Sequence, residues 1–260
     1  MTMSGEAGER VAKRIARAGL CSRREAERWI TAGRVCVDGQ VLASPGVVVN
    51  STSLVTIDGK PLPVAEGTRL WRYHKPPGLV TSHRDPDGRP TVFESLPDDI
   101  PRVISVGRLD IASEGLLLLT NDGALARRLE IPSTGWLRRY RVRAFGQLES
   151  ARLEALSSGI TVDGVSYGPI TACLERRLGS NAWYSVALRE GRNREIRRVM
   201  SHLGVTVNRI IRVAFGPFQL GRLPAAQVRE VPRKVLNEQL GCDQPAPVVQ
   251  RAKHSAHHRR

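Results

Sequence analysis

Strand-like and helix-like stretches follow one another along this chain without a fixed period, and that irregularity constrains its fold most. Alternating apolar residues predict strands at Leu70 to His74, Arg139 to Phe145, Ile170 to Leu174 and Trp183 to Leu188. Helical spacing marks Gly123 to Leu129, Ser150 to Leu156 and Asn193 to Leu203. Separated strands and helices favour an α+β domain over a regular βαβ repeat. No glycine-rich fingerprint of a dinucleotide- or NTP-binding loop interrupts the order. The longest strictly apolar stretches, such as Leu116 to Leu119 and Val47 to Val49, fall far short of the roughly 20 residues that span a bilayer. Met1 to Arg10 lacks the apolar region of a secretory leader, so a soluble, cytoplasmic chain is expected.

Ahead of that region, Arg10 to about Pro63 reads as a small module. Val11, Ile15 and Ala18 have helical spacing and Gly19 can end the helix. Ser22 with Glu25 forms a capping box for a second helix that points Ala26, Trp29 and Ile30 inward. Val35 and Val37 then alternate as a strand, and Asp38-Gly39 predicts a hairpin turn before Val41. Asp58-Gly59 marks a second turn. Pro61, Pro63 and Gly67 make a linker to the larger region. From about Glu238 the chain is rich in Pro, Gln, His and Arg, and a disordered tail is expected there.

Charge narrows the partners. With 40 Lys and Arg against 25 Asp and Glu, the chain carries a formal +15, which suits a polyanion. Two segments concentrate the excess. Arg10 to Pro63 holds nine basic and four acidic residues, mostly on its helices, and Arg189 to Arg212 holds seven Arg and two Glu. Nucleic acid leads over a membrane, because no amphipathic helix combines a large apolar face with a basic rim. Cys21, Cys36, Cys173 and Cys242 form no metal-ligand spacing among themselves or with the histidines, so no metal is expected.

Three segments carry candidate chemistry. Val106-Gly107-Arg108-Leu109-Asp110 sets an acid in a Gly-bounded turn beside an apolar run, where Asp110 fits a turn former or helix cap as readily as a reactive carboxylate. Arg138 to Arg143 alternates, putting Tyr140 and Val142 on one strand face and arginines on the other. A core tyrosine with a solvated basic face explains that pattern too. In Glu190 to Met200, Asn193 can cap a helix whose buried stripe is Ile196, Val199, Met200 and Leu203. Arg197, about 100° round from Ile196, then stands at the stripe's margin, where it can reach a partly buried acid.

Two resemblances follow from these residues. Arg14-Ile15-Ala16, Ser22 to Ala26, Ile30, Gly33-Arg34-Val35 and Val37-Asp38-Gly39 resemble the S4 RNA-binding domain. The three chemistry-bearing segments, together with His74-Lys75-Pro76-Pro77-Gly78-Leu79-Val80-Thr81-Ser82, resemble the pseudouridine synthases of the RsuA/RluB/RluF family over most of the chain. The resemblance implies an α+β architecture: a small S4-like domain at 8–64, and a catalytic domain at 68–232 with a mixed, mainly antiparallel sheet flanked by helices. A basic tail at 238–260 would follow. It implies Asp110 as catalytic residue, Tyr140 as active-site tyrosine, and Arg197 as the base pairing with Asp110 next to Ile196. Contacts to RNA or substrate then fall on Arg14, Arg23, Arg24 and Arg34 in the first domain. In the second they fall on Lys75, Arg108, Arg192, Arg194, Ile196 and Arg198. Glu195, where this family more often has Gln, adds an acid near that surface.

The implied reaction moves uracil from an N-linked to a C-linked attachment on one ribose. Neither electrons nor phosphate are transferred, so no cofactor is expected. The expected partner is ribosomal RNA, most often of the large subunit (23S) or a pre-ribosomal particle, met by a monomer away from any membrane. A small-subunit (16S) target, or a non-catalytic S4-type assembly factor, are the alternatives. A glycosidase would need a second carboxylate paired with Asp110, which the sequence does not offer.

Overall fold

The computed structural model describes residues 8–131 and 134–241. They divide into two compact units, one of residues 8–18, 23–67 and 233–241, the other of residues 19–22 and 68–232.

In the first unit, β1 (Glu9–Arg10) leads into α1 (Val11–Arg17), and α2 (Arg23–Thr31) starts directly after Ser22. Val11, Ala12 and Ile15 are buried on α1, Ala26 and Ile30 on α2. Trp29 is half-buried rather than inside, and the Arg34 guanidinium lies over its ring at 5.0 Å. The strands are β2 (Val35–Val37), β3 (Gln40–Val41), β4 (Val48–Val49), β5 (Val55–Ile57) and β6 (Lys60–Pro61). They run in the order β3-β2-β5-β6, with β4 paired to β1. Both predicted Asp-Gly turns have positive φ at each residue, 50° and 83° at Asp38 and Gly39, 50° and 75° at Asp58 and Gly59. That is the backbone a two-residue hairpin matched to strand twist requires.

The second unit holds β7 (Leu70–Lys75), β8 (Ile104–Val106), β9 (Glu114–Thr120), α3 (Gly123–Glu130) and β10 (Arg138–Phe145). It continues with α4 (Ser150–Ala155), β11 (Ile160–Val162), β12 (Val165–Tyr167), β13 (Ile170–Leu178), β14 (Asn181–Leu188), α5 (Glu195–His202), β15 (Thr206–Phe215), β16 (Phe218–Gln219) and β17 (Val228–Glu230). One sheet runs β13-β14-β10-β15-β9-β7-β17, with β16 on β15 and β8 on β9. All its pairings are antiparallel except β15–β9. The sheet is therefore mixed and mainly antiparallel.

That one parallel join depends on a glycine. Gly115 stands opposite Arg212 with φ +104°, and a Cβ there would lie 2.4 Å from the Arg212 carbonyl oxygen. Only a residue without a side chain lets β9 approach β15 here. Each half of the sheet has its own core. Tyr140, Val142, Tyr184, Val186, Ile196, Val199 and Met200 build one. Trp71, Tyr73, Leu109, Leu117 and Leu119 build the other.

Several expectations need correction. The Arg189–Arg212 segment is not one basic helix margin, since its last seven residues belong to β15, a ten-residue central strand. Asn193 does not cap α5. Arg194 stands at the cap with φ 53°, and the helix begins at Glu195. The tail cannot begin at Glu238, because α6 (Arg233–Leu240) continues through it and buries Leu236 and Leu240. Residues 242–260, the remainder of the predicted tail, lie outside the described residues.

Candidate active site

Asp110 sits in the turn between β8 and β9, and that turn is fastened from several sides. Gly107, with φ +67°, donates its N–H to Glu130 Oε1 at 2.6 Å. Thr81 Oγ1 donates to the Leu109 carbonyl at 2.9 Å, Gly78 N–H to Ile111 O at 2.7 Å, and Ser113 N–H to Asp110 O at 2.9 Å. Beneath the turn lies Lys75, the last residue of β7, fully buried. Its ammonium donates to the carbonyls of Pro76 (3.0 Å), Asp110 (3.2 Å), Ile111 (3.4 Å) and Ser113 (2.9 Å). Burial pushes this lysine down to about 8, opposed by the nearby charges of Asp110 and Glu114. A buried cation is tolerated because its donors are met by backbone oxygens. Lys75 therefore has no route to RNA, and its expected place among the substrate contacts is corrected to a post inside the fold.

Tyr140 and Arg197 reach the same cavity from two other elements. Tyr140 is nearly buried on β10, with Val186 of β14 and Arg212 of β15 opposite it. Arg197 stands on α5, where Nη1 donates to Val207 O at 3.0 Å and Nη2 to Ala112 O at 3.2 Å. It makes no ion pair with Asp110 among the described residues. In place of the expected salt bridge are two carbonyl contacts, one to Ala112, two residues beyond Asp110, and one to Val207 on β15. Burial lowers the affinity of Arg197 for its proton, as does neighbouring Arg194, and the Asp110 charge works the other way, so the two remain electrostatically coupled.

Asp110, Tyr140 and Arg197 thus line one cavity of about 550 Å³, with Thr81, Arg108, Arg138, Leu188, Arg192, Ile196, Arg212 and Phe215. That volume suits a single nucleotide-sized ligand. Ile196 closes an apolar side from the core. Glu195 also lines the cavity but is buried, with Oε2 accepting the Arg192 N–H at 3.0 Å and Oε1 unpartnered. Burial raises its carboxyl above the ordinary value, against that hydrogen bond. The acid that the sequence places near the RNA surface is thus buried in the cavity wall. Among the described residues, no cluster of three or more His, Cys, Asp or Glu side chains could hold a metal ion.

The remaining predicted RNA contacts fall into two sets. Arg23, Arg24, Arg108, Arg194 and Arg198 are exposed. Arg14, Arg34 and Arg192 already have partners. Arg14 donates to Asn50 O. Arg34 holds Asp58 with two hydrogen bonds of 3.0 and 2.6 Å. Arg192 holds Glu190 at 2.6 Å. Arg138, Arg212 and Phe215 went unpredicted as cavity residues. The alternation of β10 could have pointed to Arg138. Nothing local marks Arg212, whose strand carries register shifts against β10.

Comparison with known proteins adds to this geometry. A family model described as RNA pseudouridylate synthase matches residues 69–202, and an S4 domain model matches residues 9–55. A protein named uncharacterized RNA pseudouridine synthase, from Rickettsia prowazekii, is 44% identical over 231 residues, covering 89% of this chain and 97% of the relative. Ribosomal large subunit pseudouridine synthase B of Yersinia pestis is 42% identical over 237 residues, 88% of this chain and 74% of the relative. A crystal structure of a pseudouridylate synthase matches with TM-score 0.62 at 26% identity, covering 89% of this chain and 99% of that one.

Proposed function

The chain belongs to the RNA pseudouridylate synthase family, and on that premise we propose that it isomerises one uridine of large-subunit ribosomal RNA, with Asp110 as the catalytic residue. The observation that carries the site assignment is convergence: Asp110, Tyr140 and Arg197, far apart in sequence, line one cavity whose acid-bearing turn is fastened by Lys75, Thr81 and Arg197. The large-subunit target is supported by the name of the Yersinia relative. No helix among the described residues is long and apolar enough to cross a membrane. We place the enzyme in the cytoplasm as a monomer, binding ribosomal RNA or a pre-ribosomal particle.

The target base must leave its stack to enter a cavity of this kind, at a cost of a few kcal/mol. Inside, the N1–C1′ bond breaks, the uracil turns, and a C5–C1′ bond forms. C5 gives up its hydrogen and N1 gains one, so the product is an isomer. The Asp110 carboxylate acts at the ribose, as nucleophile at C1′ or as base. Its turn is held before substrate arrives, so no reorganisation is needed at the reacting centre. Tyr140 offers a ring face to the uracil and a hydroxyl for hydrogen bonding. Arg197 keeps the turn seated, and Ile196 supplies an apolar wall. The exposed Arg23 and Arg24 on α2 suit backbone phosphates, which position an RNA without reading its sequence.

Carbodiimide mapping of ribosomal RNA from cells lacking the protein tests this. The expected result is loss of one pseudouridine from large-subunit RNA, restored by the wild-type gene. A lost site in small-subunit RNA would overturn the target, and a full set of pseudouridines would overturn the function.

A further inference from the structure

One buried acid in the cavity wall has no place in the mechanism above. Three carboxylates line the cavity, those of Asp110, Glu130 and Glu195. Asp110 is engaged with the ribose, and Glu130 Oε1 accepts the Gly107 N–H that fastens the catalytic turn. Glu195 is 4% exposed. The charges of Arg192 and Arg138 favour its ionised form and Glu190 opposes it, but neither arginine closes to an ion pair with it. Its Oε2 accepts the Arg192 N–H at 3.0 Å, and its Oε1 is buried without a partner. An unpaired oxygen of a charged group, shut off from water, is costly, and folds seldom retain one without use.

The backbone holds this side chain at the wall. The Glu195 N–H donates to Arg192 O at 3.2 Å, so residue 195 is tied to residue 192 through both its main chain and its carboxyl. Arg194, directly before it, also lines the cavity and has φ 53°, a left-handed conformation that residues with a side chain seldom adopt and that collects at functional sites. Ile196, directly after it, has no polar side-chain atom to compete for a ligand.

A free acceptor in that wall calls for a donor on the base, and uracil has one ring N–H that the reaction leaves untouched, at N3. Isomerisation detaches N1 from the ribose and attaches C5 in its place. Those two atoms exchange positions when the ring makes a half-turn about the line through N3 and C6. The same half-turn exchanges the C2 and C4 carbonyls, so a hydrogen bond to either one has to break and form again with the other. The N3–H lies on the axis, and a hydrogen bond to it can persist throughout.

We propose that Glu195 is the pivot for the detached uracil: its Oε1 accepts the N3–H of the target base, selects uracil on entry and keeps the ring on its axis while it turns. Cytosine has no hydrogen at N3 and would set a lone pair against the carboxylate, so the same oxygen rejects it. The acceptor is charged and buried, which strengthens the bond relative to one made in water. This deepens the proposed function and rests on it for the reaction.

The test uses the full chain in single-turnover assays. The substrate is an RNA fragment carrying the uridine that carbodiimide mapping identifies, made with uridine or with 3-methyluridine at that position. Wild type is expected to convert the methylated target roughly ten- to hundredfold more slowly, as for loss of one hydrogen bond to a charged group, with RNA affinity within a few-fold. Glu195→Ala is expected to slow the uridine target by a similar factor and to convert both targets at nearly one rate, because the residue and the ring position are then uncoupled. Wild type acting equally on both targets overturns the proposal, as does a Glu195→Ala enzyme that keeps the full discrimination. A purely structural Glu195 would slow both targets alike and leave their ratio untouched. Should Glu195→Ala lose its cooperative melt, Glu195→Gln carries the comparison, since its single oxygen can serve the Arg192 N–H or the uracil but not both. Its ratio should shrink, and an unchanged ratio overturns the proposal. A uridine fragment that wild type leaves unconverted would overturn the synthase assignment and this inference with it, an outcome distinct from conversion without sensitivity to N3.

Discussion

Arginine does opposite work in the two units. In the N-terminal unit it is a surface charge: Arg23 and Arg24 are exposed on α2, and Arg34 lies over Trp29 while holding Asp58 across two hairpin strands. In the second unit the arginines nearest the chemistry face inward and hold backbone carbonyls, Arg197 those of Ala112 and Val207, Arg212 that of Leu116. A charge in water acts through a field that salt screens within about 10 Å at 0.1 M. A charge held by fixed oxygens acts through geometry that salt hardly touches. The difference predicts that the first unit sets affinity and the second sets rate.

The largest effect that could break this division is at Asp110. Asp110→Asn keeps the side chain's size and removes its charge. It is expected to reduce pseudouridine formation below detection while RNA affinity stays within a few-fold. A variant that still turns over at the wild-type rate would remove Asp110 from the chemistry, and one that binds poorly would blur the division itself.

Lys75 comes next, because here a charge in the second unit serves stability. Lys75→Met removes the ammonium from four carbonyls, of which those of Asp110 and Ile111 keep the N–H groups of Ser113 and Gly78, and is expected to cost about 2–4 kcal/mol near pH 7. Its pH signature has a definite sign. The folded-state value is about 8 against an ordinary 10.5, so between those pH values the unfolded chain holds the proton more often. Stability contributed by this group therefore rises with pH across that window and is flat below it, on the order of 3 kcal/mol in total. Urea midpoints of wild type and Lys75→Met, measured from pH 7 to 10, should diverge as pH rises, because only the wild type gains this stability. Parallel curves would mean that Lys75 keeps its proton throughout.

Lys75 also shows where reading the sequence stops. The Asp-Gly turns, the alternation of β10 and the acid in a Gly-bounded turn were legible, because each signal is local: a positive-φ pair, a period of two, a short motif. A lysine before Pro76-Pro77-Gly78 looks like any surface base. Its burial follows from three carbonyls more than thirty residues away. Arg212 was hidden for a related reason. A basic residue in an irregular strand reads as exposed, and only the β10 register and the Gly115 join place it opposite Tyr140. The partners of Arg197 were misread since helical spacing gives a direction and not the atom at its end. Helix α6 was missed because its eight residues precede a polar, His- and Arg-rich stretch that dominates the local composition.

On the N-terminal side the effects are smaller and should appear in salt dependence. Arg23→Gln with Arg24→Gln is expected to weaken RNA binding and to flatten the plot of log affinity against log salt by roughly 0.7–0.9 per lost phosphate contact. The single-turnover rate at saturating RNA should not change. A lowered rate at saturation, with the slope intact, would mean that α2 takes part in positioning the target and that affinity and rate do not divide between the units.

The smallest expected effect separates the two uses of arginine most directly. Asp58 is exposed, and the hydrogen bonds from Arg34 hold its carboxyl below the usual range. Asp58→Asn removes one negative charge from a basic surface and loosens its hold on a guanidinium, so RNA should bind slightly tighter at low salt, with a salt slope steeper by up to about one contact. Folding should change little, because exposed ion pairs contribute little. The equivalent change in the second unit has the opposite sign. Glu114, buried on β9, is gripped by Arg209 through bonds of 2.5 and 2.9 Å at the join beside Gly115. Glu114→Gln would weaken a contact that helps set the register of β15, and with it the place of Arg212 opposite Tyr140 in the cavity wall. Neutralising an acid thus adds to RNA affinity in one unit and subtracts from catalytic geometry in the other. Parallel titrations of the two variants, read once for binding and once for rate, would show whether that opposition holds.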